Sequence, residues 1–269
     1  MRQWRFIYDK PAEGALNMAI DEAILQAVSA KHALPTLRVY GWQPFCLSLG
    51  YGQHASDADF ERMKKHGWDA VRRPTGGKAI LHGDELTYSV ALPIDHELAQ
   101  GDVVTSYRRI SEALMIALQH LGLSPHSEQV PKGNQGLGAV CFEVPSHYEI
   151  TVESRKLIGS AQVRRKEGIL QHGTLPLRGD IARICDALAY PDEVTRHHAK
   201  TQVRERATTL SRVLGYDVAY HDVAHAFVKG FSDAFDLDMA EGVLSTEEAQ
   251  NAQALRYNTY DTIAWTQKR

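Results

Sequence analysis

The chain has 269 residues, 43% hydrophobic and 23% charged, an ordinary globular composition that excludes disordered, collagenous and coiled-coil chains. Its 30 Lys and Arg against 33 Asp and Glu give a net charge of −3, which argues against nucleic-acid binding through bulk charge. Its three cysteines, Cys46, Cys141 and Cys185, are widely spaced with no CxxC pair, and no stretch reads as a signal peptide or membrane helix, so a reducing cytoplasm is expected, with no membrane association.

In chain order, residues 15–28 place Ile20, Ala23, Ile24, Ala27 and Val28 on one helical face. Thr36–Tyr40 and Phe45–Leu49 read as a strand pair joined by a turn at Gly41-Trp42-Gln43-Pro44. A short helix over 58–66 stops near Gly67, and Ala70–Arg72, Lys78–His82 and Glu85–Leu92 read as strands. The clearest helix is 105–121, capped by Thr105, striped with Ile110, Ala113, Leu114, Ala117, Leu118 and Leu121, and ended by Gly122. After a Gly-rich loop at 133–138, the strands His147–Val152, Lys156–Val163 and Ile169–Leu175 are joined so tightly that they predict an antiparallel meander. The remainder reads as mostly helical: Ile181, Ile184, Cys185 and Leu188 form one stripe, and Val223, Phe227, Phe231 and Ala234 another. Ser245-Thr246-Glu247-Glu248 fits a capping box. Strands mixed with helices, without regular βαβ alternation, predict an α+β fold around an antiparallel or mixed sheet flanked by helices. One domain is expected over 1–269, its last ~60 residues mainly a helical lobe.

Four features bear on chemistry. Arg72-Arg73-Pro74-Thr75-Gly76-Gly77-Lys78-Ala79-Ile80-Leu81-His82 enters and leaves on strands and turns on two glycines. It is either a hairpin with solvated basic flanks or a loop whose exposed N–H groups and cations receive a phosphate or an oxyanion. It is neither a Walker A loop nor a GxGxxG fingerprint. Cys141 lies in an aperiodic segment, Gly138 to Ser146, interrupted by Pro145. It reads as a buried loop thiol or an accessible nucleophile, whereas Cys185 falls on an apolar stripe and Cys46 in a strand. Lys156 shares a predicted strand face with Ile158, Ser160 and Gln162; that face is solvent, making Lys156 a surface lysine, or it lines a cleft. Gly159 and Ala161 on the same strand are small, as where a ligand approaches closely. Finally, Arg155, Lys156, Arg164, Arg165 and Lys166 crowd one meander of an acidic chain, either as a solvated hairpin or as a docking patch for an acidic partner. The histidines show no metal-ligand spacing; His82 and His172 fall on strands near the candidate loops.

Several of these segments together resemble the lipoate–biotin protein ligase superfamily, in its octanoyltransferase branch. They are Asn17-Met18-Ala19-Ile20-Asp21-Glu22, the Arg72–His82 loop, Glu85-Leu86-Thr87-Tyr88-Ser89-Val90, Cys141-Phe142-Glu143-Val144-Pro145-Ser146, Arg155 to Gln162, and Leu170-Gln171-His172-Gly173-Thr174-Leu175. The ATP-dependent ligases of the superfamily share the loop and the Lys-x-x-Gly-x-Ala strand. This chain departs from them at Lys78, in place of a third glycine, at Gly83, in place of an Asp, and in the expected lack of an accessory C-terminal domain. The Cys-Phe-x-x-Pro-Ser block is similar to octanoyltransferases that carry the acyl group on a cysteine. The resemblance implies transfer from octanoyl acyl carrier protein, through a Cys141 thioester, to the lipoyl-domain lysine of an acceptor such as glycine-cleavage H protein. It implies no cofactor and no metal. Lys156 would be the cation beside the thioester. Arg72, Arg73, Gly76, Gly77, Lys78, His82, Gly159, Ala161, His172 and Gly173 would surround the substrate, with an apolar tunnel between the meander and the Arg72–His82 hairpin. The competing readings are an ATP- and Mg²⁺-dependent lipoate–protein ligase, an amidotransferase between lipoyl domains, and a non-enzymatic module of the same fold.

Overall fold

The computed structural model describes residues 2–128 and 149–269. The Gly-rich loop at 133–138, the Cys141 segment and the start of the strand expected at His147 lie outside the described residues. Strand β1 (Arg2–Tyr8) is followed by helix α1 (Gly14–Ser29), β2 (Thr36–Tyr40), β3 (Cys46–Leu49), α2 (Phe60–His66), β4 (Asp69–Arg72), β5 (Ile80–His82), β6 (Glu85–Pro93) and α3 (Val103–His120). Then come β7 (His126–Glu128), β8 (Glu149–Val152), β9 (Arg155–Arg164), β10 (Gly168–Pro176), α4 (Glu193–Arg206), α5 (Leu210–Leu214), α6 (Tyr220–Phe235), β11 (Leu237–Gly242), α7 (Thr246–Leu255) and α8 (Ile263–Thr266). Among the described residues eight strands make a mixed sheet in the order β11-β1-β2-β6-β10-β9-β8-β7, and three make a small sheet, β4-β3-β5. No helix among them is long and apolar enough to cross a membrane.

The strand pair expected from 36–49 does not form. β2 joins β1 in parallel and β6 in antiparallel fashion within the large sheet, while β3 pairs with β4 and β5 in the small one. The segment between them therefore carries the chain from one sheet to the other. Helix α3 is capped by Asp102, whose side chain accepts from Thr105 N, and not by Thr105 itself. The capping box of Ser245 and Glu248 opens α7 as expected. Strands β1 and β11 pair in parallel at the sheet's edge, so a strand interrupts the helices of the C-terminal part.

Alternation along β6 decides which layers form. Leu86, Tyr88, Val90 and Leu92 join the cluster that α3 and α6 supply with Ile110, Leu114, Phe227 and Phe231. The two helices approach so closely that a Cβ on Gly230 would stand 2.6 Å from Ala113 O. The opposite face of β6 carries Glu85, Thr87 and Ser89, and these polar side chains are buried as well. Ser89 on that face bonds to Asp21 of α1, a helix that buries Met18, Ile20, Ala23 and Ile24 together with Asn17 and Asp21. The polar side of the large sheet is thus an internal surface, and the site lies against it.

Candidate active site

A cavity of about 130 Å³ opens where the two sheets meet. Gly159, Ser160 and Ala161 of β9 and His172, Gly173 and Thr174 of β10 form one wall. Ser48, Ile80 and His82 of the small sheet contribute another, with Arg73, Gly77 and Lys78 from the loop, and Met18, Tyr40, Trp42 and Thr87 complete the lining. Glycine at 173 is required by packing: a Cβ there would come within 2.4 Å of Ser160 Oγ and 2.6 Å of Gly159 O.

Two hydrogen-bonded chains stiffen these walls. In the first, His82 Nδ1 lies 2.6 Å from Glu85 Oε1, and a carboxylate only accepts, so Nδ1 carries a proton. His82 Nε2 meets Ser48 Oγ at 2.8 Å, and Arg73 Nη1 donates to the same hydroxyl at 3.1 Å. Glu85 Oε1 also accepts from Thr87 Oγ1 at 2.6 Å, and Trp42 Nε1 donates to Thr87 at 2.8 Å. The His82 ring stacks on Trp42 with centroids 3.9 Å apart.

The second chain centres on Asp21, which is fully buried. Its carboxylate accepts from Arg38 Nη1 at 2.7 Å, Ser89 Oγ at 2.8 Å and Tyr40 OH at 2.8 Å, and stands 3.4 Å from His172 Nδ1. His172 Nε2 lies 2.7 Å from Thr75 Oγ1, which ties β10 to the loop. Burial alone would raise the Asp21 carboxyl, but the Arg38 charge and the His172 contact hold it below the usual carboxylate range. Burial pushes the His172 imidazole down, and Asp21 only partly offsets this, so the ring is held towards its neutral form.

The two loop arginines serve the loop itself. Arg72 is buried and its guanidinium donates to Gly50 O at 2.7 Å, Gln53 O at 2.6 Å and Thr266 O at 2.9 Å, fastening α8 to the small sheet. It does not line the cavity, and its donors are engaged by carbonyls, so the structure gives it a bracing task in place of the expected contact with substrate. Arg73 does line the cavity, but its Nη2 donates to Gly76 O at 2.8 Å and Lys78 O at 2.7 Å, wrapping the loop around the guanidinium. Gly77 takes a positive φ of 90° that favours glycine, and it packs so closely on Gly50 that a Cβ on Gly50 would lie 1.9 Å from Gly77 O. Gly76 is exposed and outside the lining.

Lys156 is not a surface residue. It is 3% exposed, and its Nζ donates to Glu149 Oε1 at 2.6 Å. The regular alternation expected of its strand breaks beside it: Ile150 faces Ile158 while Thr151 faces Lys156, leaving Leu157 as the extra residue of a bulge. Nor do the basic residues of the meander form one patch. Arg155 and Arg164 stand at opposite ends of β9, about 30 Å apart at ordinary strand rise. Arg164 donates to Ala99 O at 2.5 Å, and Arg155 pairs with Glu153 at 3.0 Å. Cys46 and Cys185 are buried, and burial pushes the Cys46 thiol well up. Sequence reasoning did not single out Ser48, Trp42, Glu85 or Thr174. The one local signal was Glu85 three residues after His82, in a strand whose other polar residues alternate with apolar ones.

A family model described as the lipoyl protein ligase A/B catalytic domain matches residues 13–232. The chain belongs to this family. Its relatives include proteins named octanoyltransferase LipM. That of Carboxydothermus hydrogenoformans is 38% identical over 266 residues, 98% of each chain, and that of Bacillus subtilis is 37% identical over 273 residues, 99% of this chain and 98% of the other. Among solved structures, the bipartite lipoate protein ligase of Thermoplasma acidophilum superposes with a TM-score of 0.83 at 26% identity, covering 99% of this chain and 97% of that one. A lipoate-protein ligase A bound with ATP gives 0.82 at 25% identity, with 99% of both chains covered. As a member of this family the chain is an acyltransferase with the α+β ligase fold.

Proposed function

We propose that the chain transfers an octanoyl group from octanoyl acyl carrier protein, through a thioester on Cys141, to the lipoyl-domain lysine of an acceptor such as glycine-cleavage H protein, in lipoate biosynthesis. The cavity between the meander and the Arg72–His82 loop carries this reading, because it offers an enclosed, largely apolar slot to a fatty acyl chain. The names of the LipM relatives agree with it. The Cys141 thiolate attacks the thioester carbon, and the carrier thiol leaves with a proton. The acceptor lysine, already deprotonated from its ammonium to the amine, then attacks the carbon of the enzyme thioester; the C–S bond breaks, and the second nitrogen proton passes to the departing Cys141 sulfur or to solvent as the amide forms. A thioester donor is already activated, so the transfer needs no nucleotide. Lys156, buried on the strand that forms the cavity wall, is the cation assigned to the carbonyl or the thiolate. Burial of Cys46 and Cys185 leaves Cys141 as the candidate nucleophile among the three cysteines.

Intact-mass analysis after mixing with octanoyl acyl carrier protein, without ATP, is expected to show one added octanoyl group. Cys141→Ala is expected to abolish it, and Cys185→Ala to retain it. An absolute requirement for ATP with free octanoate as donor, together with ATP/pyrophosphate exchange, would place the chain with the ligases instead.

A further inference from the structure

The cavity has an outer and an inner end. Exposed Gly77 and half-buried Lys78 mark the mouth, whereas Met18, Tyr40 and Trp42 of the same lining are buried. An acyl chain joined through its carboxyl end to a protein too large to enter must lead with its methyl end, so that end comes to the buried residues; this rests on the acyl-transfer reading above. What stands behind those residues differs. Met18 and Tyr40 pack with Ala15, Ala19, Cys46 and Val71 in one apolar cluster. Trp42 also borders a second hollow of about 330 Å³, larger than the cavity itself, whose rim at Arg178, Asp217 and Ala219 is exposed. Ile80 borders another hollow too, but one of only about 40 Å³. We propose that Trp42 is the end wall of the acyl cavity, and that it limits chain length by closing a passage into the second hollow.

The indole is held from several sides. Its Nε1 donates to Thr87 Oγ1 at 2.8 Å, its ring stacks on His82 with centroids 3.9 Å apart, and the Tyr40 ring lies 5.8 Å away. Behind it, α1 comes so near that a Cβ on Gly14 would stand 3.3 Å from Trp42 Cζ3. A side chain with these partners is a fixed stop, not a swinging one. A chain with more carbons than the cavity holds must then buckle or stop short of the reacting thiol. Cutting the indole back removes the stop, and the surplus carbons enter the second hollow.

Competition between octanoyl and dodecanoyl acyl carrier protein, read by intact mass at early times, gives the ratio of their kcat/KM values for acylation. Both donors meet the same sample, so any unfolded fraction cancels. Decanoyl and hexadecanoyl donors extend the series. The wild type is expected to prefer octanoyl over dodecanoyl at least about 10-fold. Trp42→Ala is expected to lower that preference at least about 10-fold and to admit hexadecanoyl as well, because the passage is open at its far end. Trp42→Leu, which leaves more apolar volume in place, is expected to shift the preference in the same direction. A wild type that takes dodecanoyl as readily as octanoyl has no such wall and overturns the inference, as does an unchanged preference in whichever of the two variants folds. A gain that stops at decanoyl in Trp42→Ala would mean a closed cavity merely enlarged, and overturns it too. A wild type acylated by none of these donors defeats the transfer reading itself.

Discussion

Replacing Asp21 by Ala tests whether the polar face between the sheets holds the cavity wall in place. The carboxylate that would be lost accepts from Arg38, Ser89 and Tyr40 at 2.7–2.8 Å and neighbours His172. The Arg38 side chain is 1% exposed, so its guanidinium would keep only Asp9 as a carboxylate partner among the described residues, at 2.7 Å and on the side nearer solvent. Breaking a buried pair from one side costs about 3–5 kcal/mol. That is a large share of a typical total stability of about 5–15 kcal/mol. Arg38→Met removes the charge that needs Asp21, so the double variant is expected to fall short of the sum of the singles by about 1–3 kcal/mol. Urea unfolding at pH 7, read from midpoints and slopes, measures all three variants. A loss below about 1 kcal/mol for Asp21→Ala, or full additivity, would refute the claim that this pair acts as a unit beneath the cavity.

Two further outcomes follow from the geometry. Gly50→Ala places a Cβ 1.9 Å from Gly77 O and must displace the loop, so acyl-enzyme formation is expected to slow at least about 10-fold. Gly52→Ala, where the nearest atom is 3.7 Å away, is the control; equal rates in both variants would contradict the tight Gly50–Gly77 contact. His172 has a folded pKa below its unfolded value of about 6.5. Its contribution to stability is therefore present above that pH and is lost as pH falls towards the folded value, because the unfolded chain binds the proton first. Half-buried His96 shifts in the same direction and adds to the effect. His172→Gln is expected to flatten the fall in urea midpoint between about pH 7 and pH 5; an unchanged slope would show that His172 does not titrate this way.

Local pattern was enough for the elements whose faces are uniform. The apolar stripes of α1, α3 and α6, the short connections of the meander, and the Ser245–Glu248 capping box are each set by residues close in sequence. The small residues Gly159 and Ala161 and Gly77 of the Arg72–His82 loop were readable for the same reason, since a missing side chain or a positive φ is a property of the residue itself, whereas Gly76, read in the same way, stands exposed outside the lining. Partnership at long range was not readable. Edge strand β11 and its neighbour β1 are joined across most of the chain, and β2 and β3, adjacent in sequence, separate into different sheets. Glu85, Thr87 and Ser89 alternate with apolar neighbours, which on a strand normally marks a solvent face. Only the packing of α1 and the small sheet over that face makes it internal, and burial without water then forces its polar atoms to bond to one another. Likewise a cationic side chain reads the same in sequence whether it meets solvent or carbonyls. Arg72 and Lys156 became interior groups because α8 and Glu149 were brought to them by the fold.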